Sequence, residues 1–103
     1  EANPRSFGRL GDEMNRPFEY TVGPDGRIYI LDAGNARIVV FSSGRRYITE
    51  WGYFGDGEGE FNFGRGGRTS AGDRAFAGSL VVDDEGFIYV VDEANARIQK
   101  FAP

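Results

Sequence analysis

Two sets of polar residues with the same internal spacing are the clearest candidates for chemistry in this chain of 103 residues. The sets are Asp32, Asn35 and Arg37, and Asp92, Asn95 and Arg97. A carboxylate, an amide and a guanidinium could form a polar binding site at one rim of a fold. They could also hold a turn, because Asp and Asn side chains bond nearby backbone amides and tolerate left-handed turns. Since a unique active site rarely occurs twice in one chain, we expect a structural turn set.

A run of alternating acidic residues and glycines, Asp56-Gly57-Glu58-Gly59-Glu60, indicates a second kind of chemistry. Carboxylates are the ligands that hard cations such as Ca²⁺ prefer. The EF-hand spacing fails, however, because Phe61 stands where the sixth-position glycine belongs and Gly67 where the last Glu belongs. We therefore expect a glycine-rich turn with solvated charges and no metal site.

Three arginines lie close together in residues 63–76, and they are our candidate ligand-binding residues: Arg65, Arg68 and Arg74. In a surface loop they could capture a carboxylate, a phosphate or an acidic peptide. The glycines of this segment do not form a phosphate-binding loop, since no Lys-Ser/Thr follows them. The alternative is a solvent loop without a ligand.

The composition excludes several function classes. The chain has no His and no Cys, which excludes His/Cys zinc sites, Ser-His-Asp and Cys-His nucleophiles, haem ligation by His, and disulfides. No carboxylate pair stands out, so we predict no catalysis and no cofactor. The net charge of −4 argues against a general nucleic-acid binder. No apolar run approaches the ~20 residues that span a bilayer, so no membrane partner is expected.

The chain contains an internal repeat, which predicts a modular fold. Residues 22–41 and 82–101 are identical at ten of twenty aligned positions. A second match aligns Phe7-Gly8-x-x-Gly11-Asp12 with Trp51-Gly52-x-x-Gly55-Asp56, at an offset of 44 residues. A unit of this length is typical of four-stranded propeller blades, with additional residues inserted before the second copy.

The strand pattern supports an all-β fold, since β-branched and aromatic runs alternate with turn residues and no segment has a helical period. Alternation along Tyr47–Trp51 predicts Tyr47, Thr49 and Trp51 on one face, and Ile48 and Glu50 on the other. The predicted strands are Phe18–Val22, Arg27–Leu31, Arg37–Phe41, Tyr47–Trp51, Ser79–Asp83, Phe87–Val91 and Arg97–Phe101.

The sequence resembles the NHL repeat family. The resemblance rests on Asp25-Gly26-Arg27-Ile28-Tyr29-Ile30-Leu31-Asp32-x-x-Asn35-x-Arg37-Ile38-x-x-Phe41, on its second copy, and on Trp51-Gly52 with the glycines that follow. It implies a β-propeller, often six-bladed, in which each repeat supplies one four-stranded antiparallel blade. We then expect residues 1–103 to form a single propeller segment. Its parts are an outer strand at 5–8, a blade with its outer strand at 17–52, an inter-blade segment at 53–78 with an insertion at 63–76, and a second blade without its outer strand at 79–103.

Two blades cannot close a ring and would leave two apolar faces open. We therefore expect head-to-tail self-association, in which the outer strand of one copy completes the last blade of the next. Three copies, the favoured number, would give a six-bladed propeller, and four would give an eight-bladed one. The alternatives are the missing blades of a longer parent, and an excised or engineered fragment whose ends fall there by chance. We expect Tyr29, Tyr89, Phe41 and Phe101 to pack between blades.

The resulting functional prediction is a non-catalytic propeller scaffold with a binding face at the arginine insertion. Its expected partners are copies of itself and an acidic ligand or peptide. One alternative is an RNA-binding propeller as in TRIM-NHL proteins, which use a basic face whereas this chain is acidic. Another is a fragment of a propeller hydrolase or lyase. The family that the chain resembles includes an amidating lyase whose zinc is held by histidines. This chain has no histidine, so that zinc site cannot be assigned to any of its residues.

Overall fold

Seven short strands in two antiparallel sheets make up the part of the chain that the structure describes. The computed structural model describes residues 17–64 and 78–103. The first sheet has the order β1-β2-β3-β4 and the second has the order β5-β6-β7, so each is a simple meander. Within the described residues there is no α-helix, which confirms the all-β prediction, and no helix long and apolar enough to cross a membrane. The strands are β1 (Pro17–Val22), β2 (Ile28–Asp32), β3 (Arg37–Phe41), β4 (Tyr47–Trp51), β5 (Gly78–Val82), β6 (Ile88–Asp92) and β7 (Arg97–Phe101).

The strand boundaries follow the prediction for β3, β4 and β7 and differ by one residue in the other strands. Strand β2 begins after Arg27, because Gly26 adopts a φ of 90° and closes a tight turn with Gly23. It also extends to Asp32, which pairs with Arg37 across the sheet. The same shift occurs in β6. The predicted outer strand at 5–8 lies outside the described residues.

Alternation along the strands gives each sheet two chemically different faces. We call them the tyrosine face, which carries Tyr29 or Tyr89, and the aspartate face, which carries Asp32 or Asp92. Equivalent residues of the two sheets are sixty positions apart in the sequence. The tyrosine face also includes Thr21, Leu31, Ile38 and Val40 in the first sheet, and Val81, Val91, Ile98 and Lys100 in the second. The aspartate face includes Tyr20, Val22, Ile30, Arg37, Val39 and Phe41 in the first sheet, and Leu80, Val82, Val90, Arg97, Gln99 and Phe101 in the second.

A β-bulge overturns one predicted orientation in β4. The register with β3 shifts so that Val40 faces Thr49 while Phe41 faces Tyr47, which leaves Ile48 as the additional residue. Tyr47 therefore shares a face with Glu50, to which its hydroxyl donates, and not with Thr49 and Trp51 as strict alternation predicted. The inserted residue breaks the period of two from which the prediction was made.

The two sheets stack with unlike faces together. The tyrosine face of the first sheet packs against the aspartate face of the second in one buried cluster, and β5 lies against β1 and β2. Phe61 and Phe63, from the segment that connects the sheets, fill the space between them with rings stacked 5.2 Å apart. The buried strand residues of this core are Tyr29, Leu31, Ile38, Val40, Leu80, Ile88 and Val90.

The outer faces of the stack differ in exposure. On the aspartate face of the first sheet, Ile30, Val39 and Phe41 form a second buried cluster, so the expectation of a bare face does not hold there. On the tyrosine face of the second sheet, Ile98 is exposed and Tyr89 is only half-buried. Equivalent positions of the repeat thus have different environments, because one lies inside the stack and the other on its outer side.

Candidate functional site

The first polar set lies where β2 ends and β3 begins. A 3-10 turn over Ala33–Asn35 connects the two strands. Asp32 Oδ2 accepts hydrogen bonds from Asn35 Nδ2 at 3.0 Å and from Arg37 Nε at 2.7 Å. Arg37 Nη1 also donates to Glu50 Oε2 on β4 at 2.8 Å. The structure therefore brings the three predicted residues together and adds Glu50 to them.

The electrostatics of this cluster keep Arg37 charged. Burial by itself lowers the pKa of the Arg37 guanidinium, because it penalises the charged form. Hydrogen bonding and charge attraction from Asp32, and then from Glu50, outweigh burial and raise that pKa above its ordinary value. Desolvation and the Glu50 carboxylate raise the pKa of the Tyr47 phenol. At neutral pH neither Arg37 nor Tyr47 is therefore poised to exchange a proton.

The second polar set has the same core geometry, in which the aspartate accepts from the asparagine and the arginine of its own set. Asp92 Oδ2 accepts from Asn95 Nδ2 at 3.0 Å, from Arg97 Nε at 2.8 Å and from Gln99 Nε2 at 3.3 Å. Its Oδ1 accepts from the backbone N–H of Asn62 at 2.7 Å. Asp92 is fully buried, so these four donors stand in for water around its carboxylate.

The second set also fastens the connecting segment to the second sheet. Arg97 Nη2 donates to the carbonyl oxygens of Gly57 at 2.6 Å and Glu60 at 2.8 Å. Asn95 Nδ2 donates to the Gly55 carbonyl at 2.9 Å, and the Gly59 N–H donates to Gln99 Oε1 at 3.0 Å. The backbone between the two sheets is thus bound by side chains of the second repeat.

The left-handed residue of each turn is an alanine and not the asparagine that the sequence suggested. Ala36 has a φ of 53° and Ala96 a φ of 55°, and each follows directly after its asparagine. Each asparagine side chain instead donates to the aspartate of its own set. The small methyl group of alanine suits a position that closes the turn beside the strands.

The acidic run between Asp56 and Glu60 forms a compact turn. The backbone N–H of Gly57 donates to Glu60 Oε1 at 2.9 Å, and the Glu60 N–H donates to the Gly57 carbonyl at 3.1 Å. Across residues 17–64 and 78–103 no group of three or more acidic, His or Cys side chains is placed to hold a metal ion.

The candidate arginines Arg65, Arg68 and Arg74 lie outside the described residues, and so does most of the 63–76 insertion. The residues that lead into it lie at the rim formed by the two polar turns, since the Ala94 N–H donates to the Asn62 carbonyl at 3.1 Å. A groove of about 290 Å³ borders this rim. It is lined by Ala33, Gly34, Asn35, Ala36, Phe54 and Gly64.

Among the described residues, the partners of the polar sets that escaped the sequence prediction include Glu50, Asn62 and Gln99. A signal for Gln99 was available, because the first repeat has Val39 at the equivalent position and a polar residue there departs from the repeat. No comparable signal existed for Asn62, whose contribution is a backbone N–H.

Two stacked antiparallel meanders with the same polar turn in each are typical of a β-repeat protein. Residues 75–101 match the family model described as NHL repeat, and this range includes all three strands of the second sheet. The segment at 75–101 is therefore an NHL repeat, which confirms the recognition made from the sequence. An NHL repeat in an all-β chain indicates a β-propeller-type binding or scaffold module. None of the curated proteins compared with the chain matches it.

Proposed function

We propose that this chain is a non-catalytic β-propeller-type scaffold that associates head to tail with further copies of itself. The observation that carries the proposal is the stacking of unlike faces, with a tyrosine face packed on an aspartate face. A stack of this kind is heterologous, because its two ends differ, and in this proposal the exposed residues of one end bind the other end of a further copy. Three copies in a closed ring would supply six sheets, in keeping with a six-bladed propeller.

The non-catalytic part of the proposal rests on how the polar sets are used. The Asp92 carboxylate accepts four hydrogen bonds, and the Arg97 guanidinium is directed at two backbone carbonyls. These groups hold turns and backbone together, so we assign them a structural role. Binding, in this proposal, belongs to the rim beside the groove at Phe54 and Gly64, where the 63–76 insertion begins.

The solution mass tests self-association. A single chain has a mass of 11.4 kDa, and the proposal predicts a weight-average mass that rises with concentration toward about three times that value. Sedimentation velocity and light scattering over a micromolar concentration series give this mass directly. A constant mass of one chain at every concentration would rule out self-association.

An acidic peptide tests whether the three candidate arginines bind a ligand. We expect a polyglutamate peptide to bind the chain in fluorescence anisotropy, and replacement of Arg65, Arg68 and Arg74 by alanine to abolish that binding without changing the solution mass. A polylysine peptide of the same length is the charge control, and a single-stranded RNA in a salt series tests the rival function. Equal polyglutamate binding by the chain and its triple variant would contradict this assignment.

A further inference from the structure

Besides Tyr47 and Ile48 on β4, the exposed large apolar residues of the described strands lie in two pairs, one on each sheet. Val81 and Ile98 lie on the tyrosine face of the second sheet and are 56% and 67% exposed. Tyr20 and Val22 lie on the aspartate face of the first sheet, along β1, and are 68% and 54% exposed. These four residues therefore occupy the two opposite ends of the stack. Large apolar groups that cluster in this way mark interaction surfaces.

The interface inside the chain shows what such faces bind. Leu80 and Val82, which are the repeat equivalents of Tyr20 and Val22, pack in the core with Tyr29. The equivalent of Ile98 is Ile38, which is fully buried in that same core. Three of the four exposed residues thus have counterparts in this buried interface, and the counterpart of Val81 is Thr21, which is half-buried on β1.

We propose that the tyrosine face of the second sheet, through Val81 and Ile98, binds the β1 edge of the first sheet of a second copy, through Tyr20 and Val22. The contact repeats in trans the packing of β5 against β1 and β2 inside one chain. This inference rests on the proposed self-association and names the surfaces that carry it.

Tyr89 is positioned for this contact. Its hydroxyl donates to Asp83 Oδ2 at 3.1 Å, while Asp83 Oδ1 accepts from the backbone N–H groups of Glu85 and Phe87. These hydrogen bonds restrain the Tyr89 side chain, so little side-chain freedom remains to be lost on binding.

Two departures from the repeat make the contact in trans weaker than the internal one. Lys100 stands where the first sheet has the buried Val40, and its Nζ lies 4.5 Å from the Phe87 ring centre and 5.6 Å from that of Tyr89. Asp83 stands where the first sheet has Gly23, at which an added Cβ would lie only 3.3 Å from Val82 Cγ1. Lys100 and Asp83 therefore add charge and volume at positions where the internal interface is apolar and closely packed.

The experiment compares two matched variants by sedimentation equilibrium. Ile98→Asp places a charge on the proposed surface, whereas Ile48→Asp makes the same change at an exposed residue of β4 that lies in neither apolar cluster. We expect Ile98→Asp to weaken association about 10- to 100-fold and Ile48→Asp to leave it within about twofold. Thermal unfolding verifies that both variants remain folded.

A gain-of-function variant completes the test. Lys100→Val restores the residue of the first repeat and should tighten association about tenfold, because an ammonium no longer has to be desolvated. If the chain associates but Ile98→Asp and Ile48→Asp behave alike, this surface is wrong while self-association stands. If the chain and the Lys100→Val variant both remain monomeric at every concentration, the surface and the proposed self-association are both wrong.

Discussion

Replacing Asp92 with alanine should lower the free energy of unfolding by about 3 kcal/mol. The carboxylate is fully buried and accepts hydrogen bonds from the Asn62 backbone, Asn95, Arg97 and Gln99. Removing it leaves four donors without an acceptor and the Arg97 guanidinium without its counter-charge. Arg97 keeps its bonds to two carbonyls, which holds the loss near the lower end of the range for a broken buried ion pair.

Urea unfolding measures this loss, and Asp84→Ala is the matched control. Asp84 is exposed, so the same chemical change there should alter the free energy of unfolding by no more than about 0.5 kcal/mol. A cost below about 1 kcal/mol for Asp92→Ala would show that the four hydrogen bonds accepted by this carboxylate do not stabilise the fold.

Replacing Phe61 with alanine should cost about 3–5 kcal/mol. Phe61 is fully buried, stacks on Phe63 at 5.2 Å and meets the edge of Phe101 at 5.9 Å. Its removal leaves a cavity between the sheets, which close-packed neighbours fill only in part. Thermal and urea unfolding measure the loss. Tyr53→Ala, on the same segment but exposed, is the control and should change stability little.

Gly52 supplies a sharper test of the same packing. A Cβ added there would lie 2.5 Å from Phe61 Cε2, and the residue has a φ of 108°. Gly52→Ala should therefore be strongly destabilising, but less so when Phe61 is already alanine, because the clash with the ring has gone. If Gly52→Ala lowers the free energy of unfolding equally with Phe61 and with alanine at position 61, the Phe61 ring is not what requires glycine at position 52.

The sequence was sufficient to predict the strands because turn chemistry marks their ends. Gly26 and Gly86 close turns with positive φ, and the bounds of β3, β4 and β7 match the predicted ones. The polar sets were predictable as groups, since Asp and Arg at this spacing become partners across a tight connection. The bulge at Ile48 was not, because it breaks the alternation on which the prediction depended.

The environments of equivalent residues could not be predicted from the repeat. Tyr29 and Tyr89 occupy equivalent positions of the repeat, yet one is in the core and the other is on the outer tyrosine face. Burial depends on which sheet lies next to the residue, and a local pattern contains no information about that neighbour. The useful signals were the departures from the repeat, Gln99 and Lys100, which replace Val39 and Val40.

Cysteine pairing tests most directly whether unlike faces bind between copies as they do within one. The chain has no cysteine, so an introduced cysteine can pair only with another introduced cysteine and reports on one contact. Thr21→Cys with Val82→Cys in one chain is the positive control, because β1 and β5 pack together. A mixture of Val22→Cys chains and Val81→Cys chains should form the mixed disulfide faster than either homodimer. Homodimers that form as fast as the mixed species, or no dimer beside a working control, would contradict head-to-tail stacking.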